Sequence, residues 1–179
     1  VTRENLKKSH GIAHAILANS KNANTGNANG EKVAAETSRL AADVLGITED
    51  QVVVASTGVI GLPMSTAPFA DHMKELVDGL SESGNDAAAT AIMTTDTVKK
   101  QVAVEFEIDG KTCHLGGMAK GSDMIHPNMA TMLVFITTDC AISSEMLQKA
   151  LSTDIANTFN MVSVDGDTST NDMVTVLAN

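Results

Sequence analysis

Thr131 follows Ala130 and leads directly into the apolar run Met132-Leu133-Val134-Phe135. A small residue and then a threonine at the start of a buried strand is what an N-terminal-threonine nucleophile requires. If the bond before it breaks, Thr131 gains an α-amine of pKa ~8 beside its own hydroxyl, a built-in base. An ordinary threonine that opens a strand would have the same neighbours. The stretch before it, residues 116–131, joins two apolar runs through roughly fifteen residues, long for a compact domain unless it is functional. It carries Gly116, Gly117 and Gly121, a lone Lys120 and a turn at Pro127. The glycine spacing does not make a phosphate loop, because no Gly-Lys-Ser/Thr run occurs.

Other clusters offer less. His10 and His14 stand four apart, as two ligands on one helical face would, but no third ligand completes a set and Gly11 weakens a helix there. Asp165, Asp167 and Ser169 open like a calcium loop, yet Thr170 and Val176 fill the positions that need Gly and Glu. No metal site is expected. Cys113 and Cys140 read as two free thiols of a reducing compartment rather than a disulfide framework. Residues 19–30 hold five Asn and two Gly. Such a stretch forms a loop, either a turn-rich connector or a set of amide donors lining a small polar ligand.

Composition limits the partners. Twelve Lys and Arg stand against 22 Asp and Glu in 179 residues, a net charge of −10. That sign repels nucleic-acid phosphates and anionic membranes, so neither is an expected partner. The four aromatic residues are all Phe, which leaves no platform for base stacking or cation cages. No apolar run reaches the ~18 residues of a membrane span, and a soluble cytoplasmic protein is expected.

The elements that must position Thr131 follow from periodicity. Residues 12–18 and 52–55 read as short buried strands, and the second ends abruptly in Thr57-Gly58-Val59-Ile60-Gly61. Between them, Val33, Leu40, Ala41 and Val44 mark one face of a helix stopped by Gly46. Phe69, Met73, Leu76 and Leu80 mark another helix, and an Ala-rich one covers residues 86–93. Val102, Val104, Phe106 and Ile108 alternate into Asp109-Gly110, a type I′ hairpin signal, and the chain returns over 112–115 until Gly116-Gly117 breaks the strand. A strand at 132–136, a helix at 143–159, and strands at 161–164 and 173–177 complete the pattern. The expected fold class is α/β with α+β layering, mixed or antiparallel sheets packed with helices.

Four motifs in order carry a resemblance. The segment Met118-Ala119-Lys120-Gly121-Ser122-Asp123-Met124-Ile125-His126-Pro127-Asn128-Met129-Ala130-Thr131-Met132-Leu133 is similar to the self-cleavage signature of the ornithine acetyltransferase (glutamate N-acetyltransferase) family. Ser56-Thr57-Gly58-Val59-Ile60-Gly61, Met93-Thr94-Thr95-Asp96-Thr97 and Asp165-Gly166-Asp167-Thr168-Ser169-Thr170-Asn171-Asp172 resemble further motifs of that family.

The resemblance implies an Ntn-like layered sandwich and a precursor that cuts itself between Ala130 and Thr131. Residues 1–179 would form one partial catalytic region, with 1–130 in the first chain and 131–179 opening the second. Thr131 would take acetyl from N-acetylornithine as an ester and pass it to glutamate in arginine biosynthesis. Thr57 and Gly58 would form the oxyanion hole, and Thr94, Lys120 and Thr131 would bind substrate. No cofactor is implied, although acetyl-CoA is a conceivable donor. The implied partners are the remaining part of the enzyme and further copies of the cleaved chains. Lys21 and Asp123 replace residues that are usually glycine in the family. Two other readings stand beside this one, a related hydrolase or aminopeptidase and a fragment that only associates with the remainder.

Overall fold

The computed structural model describes residues 1–122 and 132–179 and divides into two compact units, Val1–Ala91 and Ile92–Asn179. Asp123, Ala130 and Thr131 lie outside the described residues.

In the first unit, β1 (Ala15–Asn19) pairs in parallel with β2 (Val52–Ser56), Ala15 opposite Val52 and Asn19 opposite Ser56. The crossover between parallel strands needs a long connection, and α2 (Gly30–Leu45) supplies it, closed by Gly46 in the left-handed region at φ 70°. All five residues of β2 are buried, as an interior β-branched run predicts. Leu17, Ala34, Ala41, Ala42, Val52, Val54 and Met73 form the core. Full burial of side chains such as Val52 and Val54 stabilises by about 1.5–3 kcal/mol each. The buried face of α2 is Val33, Ala34, Thr37, Ser38, Ala41 and Ala42, while Val44 is exposed. In α3 (Ala67–Asp78) Met73 is buried, but Leu76 is exposed and Leu80 lies beyond the helix end, also exposed. The Ala-rich helix is α4 (Asn85–Ala91).

The sequence pattern did not signal α1 (Thr2–Lys8). It carries no apolar stripe and is held by polar contacts instead. Thr2 Oγ1 bonds both the carbonyl and the N–H of Val54 at 3.2 Å, and Asn5 Nδ2 donates to the Glu49 carbonyl at 3.1 Å. Because α1 ends at Lys8, His10 and His14 flank a turn rather than share a helical face.

The second unit is a four-stranded mixed sheet in the order β3-β4-β5-β6. Strands β3 (Lys100–Ile108) and β4 (Lys111–Lys120) form the expected hairpin, with Asp109 at φ 51° and Gly110 at φ 74° as a type I′ turn demands. Gly116 and Gly117 do not break the return strand. They sit in the middle of β4, opposite Ala103 and Val102 on one side and Thr137 and Ile136 on the other, and two complete ladders hold them there. Strand β5 (Leu133–Thr138) runs antiparallel to β4, and β6 (Met173–Ala178) runs parallel to β5. Between them α5 (Ser144–Asp154) begins at Ser143, whose Oγ accepts the Met146 N–H. The strand expected at 161–164 does not form; a 3₁₀ turn at Phe159–Met161 leads into an exposed irregular segment. No helix among the described residues is long and apolar enough to cross a membrane.

Candidate active site

In the first unit, β2 delivers the chain into Thr57, which is 1% exposed. The Thr57 N–H donates to the Asn19 carbonyl at 3.0 Å and so continues the β1–β2 ladder. With the Thr57 N–H taken by the ladder, the other donor groups at this turn are the Thr57 hydroxyl and the Gly58 N–H. Gly58 has φ 125°, and a Cβ there would stand 2.1 Å from the Lys21 carbonyl carbon and 2.6 Å from the Asn22 nitrogen. Only glycine fits.

The Asn-rich segment explains that crowding. Asn22 bridges to Val59 in parallel, Val59 N–H donates to the Lys21 carbonyl at 2.9 Å, and Ala23 N–H to the Val59 carbonyl at 3.0 Å. The amide nitrogens of Asn27 and Asn29 reach the Leu62 and Met64 carbonyls at 3.1 and 3.3 Å. These donors are spent on the neighbouring backbone, which favours the connector account of residues 19–30 over the ligand-lining one. Lys21 has φ 77°. That is the conformation glycine adopts without strain, so Lys21 carries a backbone cost here that glycine would not.

In the second unit, Lys120 of β4 stands opposite Leu133 of β5, which stands opposite Met173 of β6. The ends of three strands therefore fall in one row, and the residues just beyond it gather at one edge of the sheet. Lys120 is 3% exposed, and its Nζ donates to Thr94 Oγ1 at 3.0 Å. The two expected substrate-binding residues are thus in contact, and Lys120 is not a surface lysine.

Two carboxylates that the sequence reading did not assign roles belong to the same edge. Asp96 accepts from Lys100 Nζ and from the Gly121 N–H, both at 2.7 Å, and from the Thr94 N–H at 3.3 Å. Burial pushes its carboxyl up, but Lys100 and the two N–H donors win and hold it below the usual value. Thr95 and Ser122 join their hydroxyls at 2.6 Å, so the 92–97 loop is fastened to the end of β4 at several points. Asp172 accepts the Met132 N–H on Oδ1 at 2.7 Å. Burial raises its carboxyl to about 6, against the opposing pull of the Met132 N–H and of Lys120. The available sequence signals were an acid two residues after Thr94 and the last acid before the apolar run of β6.

At the far end of the sheet, the Asp139 carboxylate receives the His114 N–H at 2.6 Å and meets His114 Nδ1 at 2.7 Å. Cys113 and Cys140 are free thiols, and burial followed by the Cys140 thiol pushes Cys113 up. Among the described residues no group of three or more His, Cys, Asp or Glu is arranged to hold a metal.

Comparison with known proteins gives the context. Residues 1–179 match the ArgJ family throughout. The chain is 51% identical over 176 residues to the arginine biosynthesis bifunctional protein ArgJ of Gloeobacter violaceus, covering 97% of this chain and 43% of that protein. It is 50% identical over 182 residues to the glutamate N-acetyltransferase of Methanocaldococcus jannaschii, covering 100% of this chain and 45% of that one. The chain thus spans less than half the length of these curated relatives. The crystal structure of the bifunctional protein ArgJ from Bacillus halodurans matches with a TM-score of 0.61 and 34% identity, over 72% of this chain and 68% of that one. The ornithine acetyltransferase of Mycobacterium tuberculosis, solved in complex with ornithine, matches at 0.59 and 33%, over 71% and 67%.

Proposed function

The chain belongs to the ArgJ family, and from that premise we propose that it carries the nucleophile and part of the substrate site of a glutamate N-acetyltransferase. Self-cleavage comes first. The Thr131 hydroxyl oxygen attacks the Ala130 carbonyl carbon, the C–N bond breaks, and water hydrolyses the resulting ester. Thr131 is left with a free α-amine that serves as its own base.

Acetyl transfer then runs in two halves. The Thr131 oxygen attacks the acetyl carbon of N-acetylornithine, its proton passes by way of the α-amine to the departing ornithine nitrogen, and an acetyl ester remains. The glutamate amine attacks that ester, N-acetylglutamate leaves, and the hydroxyl recovers its proton. This reading assigns the oxyanion of each tetrahedral intermediate to the Thr57 hydroxyl and the Gly58 N–H. Lys120 and Thr94 receive the α-carboxylate that both amino acids carry, where a cation forms a charge-assisted bond.

The observation that supports the reading best is the Lys120–Thr94 contact. Lys120, 3% exposed, donates to the Thr94 hydroxyl at the end of β4 opposite Leu133, so a cation and a hydroxyl stand together at the sheet end two positions in sequence from Thr131. The test uses the full-length protein that contains this chain. Purified enzyme given N-acetylornithine should release ornithine in proportion to added glutamate and carry a transient acetyl group on Thr131. Thr131→Ala should abolish both cleavage and transfer. Ornithine release that ignores glutamate would favour the hydrolase instead.

A further inference from the structure

Met132 is clamped from both sides of its backbone. Its N–H donates to Asp172 Oδ1 at 2.7 Å, and its carbonyl accepts the Met173 N–H at 2.9 Å. Asp172 directly precedes β6 and Met173 opens it, some forty positions downstream. The second Asp172 oxygen is buried and has no hydrogen-bond partner among the described residues. An asparagine or a backbone carbonyl would satisfy one N–H equally well without a buried charge. Leaving a buried carboxylate oxygen without a donor is unfavourable by itself. The choice of an acid here calls for a reason, and the neighbour in sequence supplies one, because Met132 directly follows Thr131.

We propose that Asp172 is a positioning residue for the self-cleavage before Thr131, holding the first peptide group of the new chain still while the Ala130–Thr131 bond opens. The inference rests on the acetyltransferase reading given above. In the reaction the Thr131 oxygen bonds the Ala130 carbonyl carbon, the Thr131 nitrogen leaves and takes up the hydroxyl's proton, and water completes hydrolysis of the ester. Asp172 makes and breaks none of these bonds. It anchors the leaving side, so the nitrogen departs from a fixed frame rather than dragging the strand with it. Cleavage also creates an α-ammonium one residue from Met132, and a carboxylate compensates that charge where an amide does not.

Acid should weaken this hold. Burial raises the Asp172 carboxyl to about 6, while the Met132 N–H just before β5 and Lys120 on β4 pull the other way. Asp165 and Asp167 on its own segment are exposed. As pH falls through about 6, the acceptor loses its charge and the bond to Met132 loses strength.

The experiment makes the full-length protein by cell-free synthesis and follows the piece that begins at Thr131 by denaturing mass spectrometry, from about pH 5 to about pH 8. Asp172→Ala should cleave about tenfold more slowly or worse, the loss expected when a charged hydrogen bond is removed. Asp172→Asn, which keeps an acceptor but not the charge, should cleave faster than Asp172→Ala yet more slowly than wild type at the alkaline end, and should lose the wild-type inflection near 6. Circular dichroism of the uncut Asp172→Ala chain should remain that of folded protein; an unfolded Ala variant leaves the decision to the Asn profile. Wild type cut at Thr131 with Asp172→Ala cut equally fast, or an Asn profile that keeps the inflection, overturns the inference alone. Wild type that remains whole removes the acetyltransferase reading and the inference together.

Discussion

Replacing Gly58 by alanine tests the turn after β2 most severely. At φ 125° an L-residue suffers the left-handed penalty, about 1–2 kcal/mol. The added Cβ would also stand 2.1, 2.3 and 2.6 Å from Lys21 C, Lys21 O and Asn22 N. All three are backbone atoms, so no side chain can rotate away and the chain itself must shift, at about 1–3 kcal/mol or more. The sum, about 2–5 kcal/mol, is a large part of the ~5–15 kcal/mol that holds a typical domain folded. Gly46→Ala is the matched control: φ is 70° and nothing lies within 4 Å of the added methyl, so only the conformational penalty of about 1 kcal/mol applies. Urea unfolding of the two variants beside wild type should place Gly58→Ala at least about 1 kcal/mol below Gly46→Ala, a midpoint lower by about 0.5 M or more. Equal midpoints would refute the close approach of the 19–30 and 57–61 segments.

Lys21→Gly should act in the opposite direction. Lys21 is exposed at φ 77°, so removing its Cβ should raise stability by about 0.5–1 kcal/mol, visible as a higher melting temperature, with Lys21→Ala unchanged as the control. His114 should titrate above the ordinary histidine range, because its hydrogen bond to Asp139 and then the Asp139 charge favour the imidazolium. A folded value above the unfolded ~6.5 means that the pair's stabilisation is complete below ~6.5 and is lost as pH rises through the folded value. An NMR titration of the ring should show this, and Asp139→Asn should return the midpoint to the ordinary range.

Where one local rule governs a segment, the sequence was enough to read it. Asp109-Gly110 demanded positive φ at two successive residues and received it. The β-branched run at 52–54 demanded burial on both faces, and Gly46 demanded a left-handed stop. Tertiary contacts overruled local signals elsewhere. Gly116 and Gly117 read as a break, yet ladders to β3 and β5 hold them mid-strand, and Lys120 is buried because the strand continues that far. The apolar spacing of Leu76 and Leu80 suggested a core face, but α3 ends at Asp78 and buries only Met73. In α1 the docking groups are Thr2 and Asn5, and hydropathy does not register polar anchors. At the candidate site, Lys120 and Thr94 were legible through the resemblance. Asp96 and Asp172 have no local signal of that kind; their nearness to the row of Lys120, Leu133 and Met173 comes from the bond of Asp96 to the Gly121 N–H and of Asp172 to the Met132 N–H.

Surface loops ordinarily absorb extra residues at small cost. Residues 19–30 form a different kind of loop. Lys21, Ala23 and Thr25 meet Val59 and Gly61 bond by bond, and the amides of Asn22, Asn27 and Asn29 each reach a carbonyl between Leu62 and Met64. A single inserted residue would slide every later donor off its acceptor and shift the peptide on which Gly58 rests. Variation in length should therefore be purged from this stretch among relatives. A lineage that does alter it must alter residues 57–64 in the same step, so the two loops are inherited as a pair.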